Sequence, residues 1–330
     1  MNVVTPESVG LCSERLARIG EHLRSRYVEP GKILGSLTLV ARRGEICYLE
    51  GEGMMDRERG KAMSNDALFR IYSMTKPVTS VALMQLFEQG KFSLTDPVHR
   101  FIPEWRDLRV YKSGSLPLFD TTPCERPMQV RDLFTHTSGL TYGFLHATNV
   151  DHAYRKLGIQ QNRDGYTLKD MIGELARLPL EFSPGTSWNY SVATDVLGYL
   201  VEVISGQSFD EYLAEHLFGP LGMSDTTFNI RDDQVERFAA CYERNLATKE
   251  VFLQDDPAES DYRGRTFFSG GGGLISSMSD YYRFCAMLRN GGELDGQRVL
   301  GPRTLAYMTR NHLPGDVRMD AIARGSFSET

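Results

Sequence analysis

The chain has 330 residues, 41% hydrophobic and 24% charged, and its 37 basic against 43 acidic side chains give a formal net charge of −6. This composition is typical of a folded globular protein and excludes a disordered or fibrous chain. Its basic residues are scattered, so the sequence offers no charged patch for nucleic acid or an anionic membrane. A chain of 330 residues favours two lobes over a single core.

The N-terminal segment predicts a helix followed by a β-hairpin. Apolar residues recur at helical spacing from Leu16 to Tyr27, with Ser13 as the expected N-cap. Two β-prone runs, 36–41 and 46–50, flank a glycine-containing turn. A helix followed by a hairpin favours helices packed on an antiparallel sheet.

The segment Met74–Gln89 predicts a helix buried at the centre of the molecule. It is apolar on nearly every face, and Gly90 supplies a C-terminal stop. Further helices are predicted at 168–178, 193–204 and 208–217. Ser208 and Glu211 form a capping-box pattern at the start of the last one. These segments predict a helical lobe inserted into an α/β lobe.

The segment Arg106–Pro127 contains several Pro, Gly, Ser and Thr residues and predicts a long surface loop. After Phe267, a short strand at 274–275 and helices at 279–289 and 302–310 predict a return to the α/β lobe. Only three strands are then assigned to that lobe, so its sheet is predicted to be incomplete.

The expected organisation is an α/β part combined with an all-α part. We expect a discontinuous α/β domain at 1–75 and 260–330, a mainly helical domain at 76–259, and an active site between them. The chain ends in the polar stretch Arg324–Thr330. There is no run of about 18 apolar residues and no leader-like pattern at the start. We therefore expect a cytoplasmic protein.

Ser73-Met74-Thr75-Lys76 is an S-x-x-K sequence at the start of the most apolar helix. A spacing of three places the hydroxyl and the amine on one helix face, and the helix N-terminus favours a developing oxyanion. Lys76 is therefore a candidate proton acceptor for Ser73. The alternative is an N-cap serine beside a lysine whose stem packs on apolar surface.

Tyr190 lies just before the helix predicted at 193–204 and after a Pro-Gly turn. A phenol near an ammonium can share a proton with a nucleophile or a leaving group. The alternative is an aromatic anchor for the loop. The run Gly270–Gly273 lacks the Lys-Ser or Lys-Thr of a phosphate loop, so we expect close backbone packing or main-chain contact with a substrate.

Other hydrolase and metal motifs are absent from the sequence. It has no G-x-S-x-G nucleophile elbow, and its seven histidines include no H-E-x-x-H or H-x-H pair. The five cysteines lie far apart, without C-x-x-C pairs or histidine neighbours, and are expected to be free thiols. We interpret His136 as a structural histidine that hydrogen-bonds its loop.

Four ordered segments together resemble one family. They are Ser73–Pro77, Asp132–Leu140, Pro184–Ser191 and Ser269–Leu274. From about Leu16 to Met308 the chain is similar to the serine β-lactamase-like superfamily, and most similar to its family VIII carboxylesterases. Class C β-lactamases and DD-peptidases belong to the same superfamily. The resemblance implies a β-lactamase/DD-peptidase-like fold, in which helices flank an antiparallel sheet and a helical lobe is inserted.

The resemblance also implies roles for three residues. Ser73 would be the acylated nucleophile, Lys76 its proton acceptor or electrostatic partner, and Tyr190 the general base or acid that serves the leaving group. Hydrolysis would proceed through an acyl-enzyme, without a metal or organic cofactor.

Substrate contacts are expected around these three residues. The expected binding residues are Tyr142, Val192, Gly271 and Gly272. The pocket lining is expected to come from Arg106–Pro127, Tyr142–Phe144 and the glycine run. In the β-lactamases and peptidases an Asn that binds the acylamido side chain normally occupies the position of Val192. Its replacement should weaken recognition of amides and leave simple esters unaffected.

The third motif of the superfamily, Lys-Thr-Gly or its His- or Trp-Gly-Gly counterpart, is not found in this sequence. We expect it to lie beyond Thr330, together with strands that complete the sheet. Without it one oxyanion donor would be lost, which lowers the rate by about 10²–10³.

The sequence thus predicts a cytoplasmic serine carboxylesterase that cleaves short-chain, small-molecule esters through an acyl-enzyme on Ser73. We expect no nucleic-acid or membrane partner, and a homo-oligomer is possible. The alternatives are a β-lactamase or DD-peptidase, an acyltransferase that passes the acyl group to an alcohol, and a non-catalytic penicillin-binding-like module.

Overall fold

The computed structural model describes residues 1–323, and the polar stretch predicted at 324–330 lies outside the described residues. Within 1–323 the strands are β1 Gly35–Arg42, β2 Glu45–Asp56, β3 Lys61–Ala62, β4 Leu68–Arg70, β5 Arg109–Ser115, β6 Leu118–Pro123, β7 Cys241–Arg244, β8 Val251–Asp255, β9 Ile275–Ser277, β10 Glu293–Leu294 and β11 Gln297–Arg298. The α-helices of the same residues are α1 Ser13–Leu23, α2 Thr75–Glu88, α3 Val130–Phe134, α4 Asn149–Leu157, α5 Leu168–Leu175, α6 Ala193–Ser205, α7 Phe209–Leu213, α8 Gly219–Leu221, α9 Met278–Arg289, α10 Pro302–Met308 and α11 Met319–Ile322.

The chain divides into two compact units. The first contains Met1–Arg70, Leu221–Gly264 and Ile275–Arg289, and the second contains Ile71–Pro220, Arg265–Leu274 and the chain from Asn290 onward. The domain bounds and the interdomain site expected from the sequence stay a prediction. The predicted mixture of helices and antiparallel sheets is confirmed. Among residues 1–323, no helix is both long enough and apolar enough to span a bilayer.

In the first unit, β1, β2 and β3 form an antiparallel sheet, and α1 contacts β2. The predicted hairpin is confirmed, with Arg42 paired to Glu45 beside the turn. The predicted N-cap was wrong by one residue, because α1 is capped by Cys12. Both the amide and the hydroxyl of Ser13 are bound by the Glu7 carboxylate.

A second antiparallel pair, β4 with β9, lies over the apolar core of this unit. Leu68, Phe238 and Ile275 are buried there. The core also holds Arg70, whose guanidinium bonds Asp255 at 2.6 Å and lies 3.8 Å from the ring centre of Phe238. Three strands were predicted from the sequence. The other strands of this unit are short or irregular, so they show little alternation of apolar and polar residues.

The second unit is built on helices α2 and α6, which pack against each other. Both are buried over most of their length, as the all-round apolar sequence of α2 predicted. Each ends at a glycine with left-handed backbone, Gly90 at φ +69° and Gly206 at φ +79°. The capping box predicted for α7 was wrong, because Ser208 makes no side-chain cap bond. The Glu202 carboxylate instead accepts from the amide of Phe209.

The prediction of a loop across Arg106–Pro127 was also wrong. The segment forms the hairpin β5–β6, paired from Arg109 opposite Pro123 to Ser115 opposite Leu118. The turn-forming residues of this segment outnumber its β-prone residues, so the sequence pattern favoured a loop. In the structure the rings of Tyr111 and Phe119 contact each other across the two strands, with ring centres 5.9 Å apart.

Candidate active site

Ser73 lies just before the N-terminus of α2, the buried helix of the second unit. A single turn of 3₁₀-helix, Tyr72–Met74, leads directly into α2, so the side chain of Ser73 is exposed to solvent while the helix behind it is anchored. Lys76 follows one turn later, and its Nζ donates to Ser73 Oγ at 3.0 Å. The contact predicted from a spacing of three is confirmed.

Tyr190 is brought to the same point by the loop that precedes α6. Its phenol oxygen lies 2.5 Å from Ser73 Oγ. The ammonium of Lys76 lies 4.6 Å from the centre of the Tyr190 ring, a cation–π distance. The structure therefore brings together all three residues predicted to carry the chemistry.

His136 stands behind Tyr190, with ring centres 5.1 Å apart. Its Nδ1 is 3.1 Å from Ser191 Oγ, and its carbonyl accepts from the amide of Asn189 at 3.0 Å, which confirms that it hydrogen-bonds a loop. Burial and, secondarily, the nearby Lys76 cation lower the pKa of His136 to about 3. The imidazole is thus neutral near pH 7, and it stiffens the loop that carries Tyr190.

Tyr142 is buried against the other side of Tyr190, with ring centres 5.0 Å apart. Burial raises the pKa of its phenol well above the ordinary value, and the charge of Asp195 adds to this effect. Phe144 stacks on Tyr142 at 4.7 Å and is 60% exposed. Together with the exposed Tyr72 and Met74 beside Ser73, Phe144 gives the site apolar surface that faces solvent.

The predicted glycine run borders the same residues. Its Gly271 carbonyl accepts from Lys76 Nζ at 2.6 Å, so the lysine is held between this oxygen and the Ser73 hydroxyl. A Cβ at Gly271 would lie 2.6 Å from Asp195 Oδ2 and 2.9 Å from the Tyr142 hydroxyl. Close backbone packing, one of the two outcomes expected for this run, is confirmed at Gly271.

The other predicted binding residues differ in their exposure to solvent. Gly272 is partly exposed and leaves room for a substrate, whereas Val192 has no exposed surface and its amide donates to Thr141 at 3.2 Å. Contact of Tyr142, Val192, Gly271 and Gly272 with a substrate stays a prediction.

Sequence reasoning missed Asp195, a fully buried carboxylate in the first turn of α6. Its oxygens accept from Ser269 Oγ at 2.5 Å, Gly271 N at 3.0 Å and Gln160 Nε2 at 2.7 Å. Burial raises the pKa of Asp195, while these hydrogen bonds and the Lys76 charge oppose the rise. The available signal was an acidic residue between apolar residues in the first turn of α6.

This arrangement places a hydroxyl beside two groups able to activate it. An exposed serine oxygen is within hydrogen-bonding distance of an amine and a phenol, the two groups able to take and return its proton. Among residues 1–323, no cluster of His, Cys, Asp and Glu could hold a metal ion.

Comparison with known proteins places this site in a family. A sequence profile described as Beta-lactamase matches residues 22–325. An uncharacterised protein of Mycobacterium tuberculosis is 36% identical over 91% of this chain and 73% of its own length. Esterase EstB of Burkholderia gladioli is 32% identical over 94% of this chain and 78% of its own length.

The solved structure of EstCE1, titled a hydrolase with promiscuous acyltransferase activity, superposes with a TM-score of 0.76 at 28% identity, covering 91% of this chain and 78% of the other. The fold predicted from the resemblance is confirmed by this superposition. Since the profile covers nearly the whole chain, and the ordered motifs around Ser73 are the residues that the structure brings together, the chain belongs to the Beta-lactamase family.

Proposed function

We propose that the chain is a serine carboxylesterase that cleaves short-chain carboxylic esters through an acyl-enzyme on Ser73. The observation that carries this proposal is the pair of contacts at Ser73 Oγ, 3.0 Å to Lys76 Nζ and 2.5 Å to the Tyr190 hydroxyl. One oxygen is thus in contact with two groups able to move its proton, and Ser73 is exposed to solvent.

In the first half of the reaction, Ser73 Oγ attacks the ester carbonyl and its proton passes to the Lys76–Tyr190 pair. The tetrahedral oxyanion is stabilised by the N–H group of Ser73, which lies in the turn that leads into α2. When the carbon–oxygen bond breaks, Tyr190 returns the proton to the departing alkoxide, which leaves as the alcohol.

In the second half, water attacks the acyl-enzyme. The same pair accepts a proton from the water, and Ser73 Oγ leaves as the restored hydroxyl while the acid is released. Lys76 Nζ lies 4.6 Å from the centre of the Tyr190 ring, so both members of the pair stay close to Ser73 Oγ in both halves of the reaction.

The relatives support an ester rather than an amide substrate. EstB is named an esterase and EstCE1 a hydrolase, and each aligns with more than nine-tenths of this chain. Val192 adds to this argument, because a buried valine offers no side-chain donor or acceptor for an acylamido group. A β-lactamase or DD-peptidase activity would appear as faster turnover of a cephalosporin than of esters.

Acyl transfer is the second candidate, favoured by the exposed apolar surface of Phe144, Tyr72 and Met74 beside Ser73. An alcohol bound on this surface could replace water in the second half of the reaction. EstCE1 is titled as having promiscuous acyltransferase activity. Adding a series of alcohols to a vinyl ester assay and measuring the ratio of new ester to free acid separates the two activities.

The test of the main proposal is intact-mass analysis after incubation with a fluorophosphonate, together with turnover of p-nitrophenyl acetate and butyrate. We expect one adduct on the wild type, none on Ser73→Ala, and normal labelling of the matched control Ser80→Ala on the same helix. Unchanged ester turnover in Ser73→Ala would contradict the proposal. A folded wild type that acquires no adduct would favour the non-catalytic module. The cytoplasmic location and a homo-oligomer stay predictions.

A further inference from the structure

The proposed chemistry assigns no role to Asp195, a buried titratable group in α6. Asp195 has no exposed surface, so it cannot contact a substrate. Its carboxylate is nevertheless connected to Lys76 through one intervening residue, Gly271. It binds the amide of Gly271, and the carbonyl of the same residue accepts from Lys76 Nζ at 2.6 Å. A single residue therefore separates the carboxylate from the amine.

The loop that contains Gly271 is fixed on two sides. On the α2 side, Thr79 Oγ1 donates to the Gly270 carbonyl at 2.8 Å, and Thr75 Oγ1 accepts from the amide of Leu274 at 3.2 Å. On the α6 side, Asp195 makes the contacts to the loop, to Gly271 N and to the Ser269 hydroxyl. Removal of Asp195 would remove these two hydrogen bonds and leave the Gly271 carbonyl free to turn away from Lys76.

We propose that Asp195 is a positioning residue for the ester hydrolysis proposed above. By holding the Gly271 main chain it fixes Lys76 against Ser73. The inference rests on the proposed function of Ser73, and it assigns the carboxylate a part in activating the serine rather than in binding the ester.

The charged and titratable groups around Lys76 are consistent with this role. Tyr190 and Tyr142 present ring faces at 4.6 and 5.4 Å from Nζ. The pKa of His136 is lowered to about 3, so it adds no positive charge near neutral pH. Asp195 is a titratable group that faces the Gly271 loop from the α6 side.

The test compares Asp195→Asn with a matched control, Asp280→Asn. Asp280 is also a buried carboxylate that accepts from a backbone amide, of Asp225 at 2.8 Å, and a hydroxyl, of Thr226 at 2.9 Å, but it lies in the first unit. Both substitutions keep the size of the side chain and remove its charge. Thermal melting of each variant then reports the structural effect of losing a buried carboxylate.

We expect Asp195→Asn to slow fluorophosphonate labelling of Ser73 and to lower kcat for p-nitrophenyl butyrate by about 10–100-fold, with KM within twofold of wild type, because misplacement of a catalytic group costs rate rather than binding. Asp280→Asn should change neither the labelling rate nor kcat.

An Asp195→Asn variant that labels within twofold of wild type, with kcat also within twofold, would overturn the proposal. If that variant does not fold, Ser269→Ala removes one of the same hydrogen bonds at a partly exposed site, and normal labelling of it would overturn the proposal equally. Failure of the proposed function is distinguished by the wild type, which would then acquire no adduct at all.

Discussion

Replacement of Tyr190 by Phe isolates the phenol oxygen from the rest of the site. The ring would keep its place over the Lys76 ammonium and its contact with Tyr142, so the packing of the loop is retained. What disappears is one oxygen 2.5 Å from Ser73 Oγ. If that oxygen moves the proton between nucleophile and leaving group, its loss removes general acid–base catalysis, worth about 10²–10⁴ in rate.

We therefore expect kcat/KM of Tyr190→Phe for p-nitrophenyl acetate to fall by about 10³, equivalent to about 4 kcal/mol of activation free energy. Tyr212→Phe is the control, because the Tyr212 hydroxyl is buried in α7 without a hydrogen-bond partner among the described residues. The control should keep wild-type activity. A Tyr190→Phe enzyme within tenfold of wild type would refute the role of the phenol and leave Lys76 alone to move the proton.

Two further predictions concern backbone packing and pH. Gly271→Ala should destabilise the fold by about 1–3 kcal/mol, because its Cβ would lie 2.6 Å from Asp195 Oδ2. Gly272→Ala is the control and should keep the wild-type melting temperature, because the nearest neighbour of its Cβ would lie 3.7 Å away. Equal melting temperatures of the two variants would contradict the packing argument. The pKa of His136 is lowered from 6.5 to about 3, so the unfolded chain binds a proton in that range that the folded chain does not. The free energy of unfolding should thus fall as pH drops from 6.5 toward 3, by up to about 1.4 kcal/mol per pH unit from this residue. Urea titrations should show a shallower fall for His136→Gln, and an unchanged slope would contradict the assignment.

Sequence alone predicted the parts of the site that are local in the chain. Ser73 and Lys76 lie one helical turn apart, so helix geometry alone predicted their contact. Tyr190 reaches Ser73 across 117 residues, and only the resemblance to a family connected the two. Asp195 was missed because a buried acid has no periodic signature. Its hydrogen bonds reach Ser269 and Gly271, more than 70 residues away in the chain, so sequence spacing could not indicate them.

The fold was predicted where single elements are long. Helix α2 and the hairpin β1–β2 have enough residues for their apolar patterns to be distinct. The hairpin β5–β6 was taken for a loop because turn-forming residues outweighed its short β-prone runs. The predicted capping box of α7 failed because Glu202, from the preceding helix, supplies the acceptor at that helix start.

The burial of α2 has a consequence for how heat inactivates the protein. A helix packed on nearly every face has no low-energy route to local opening, so its amide hydrogens should exchange with solvent only when the second unit unfolds as a whole. Ser73 lies at the end of this helix and shares its anchoring. The nucleophile should therefore remain aligned up to the melting transition, and catalytic activity should disappear together with the tertiary structure rather than before it.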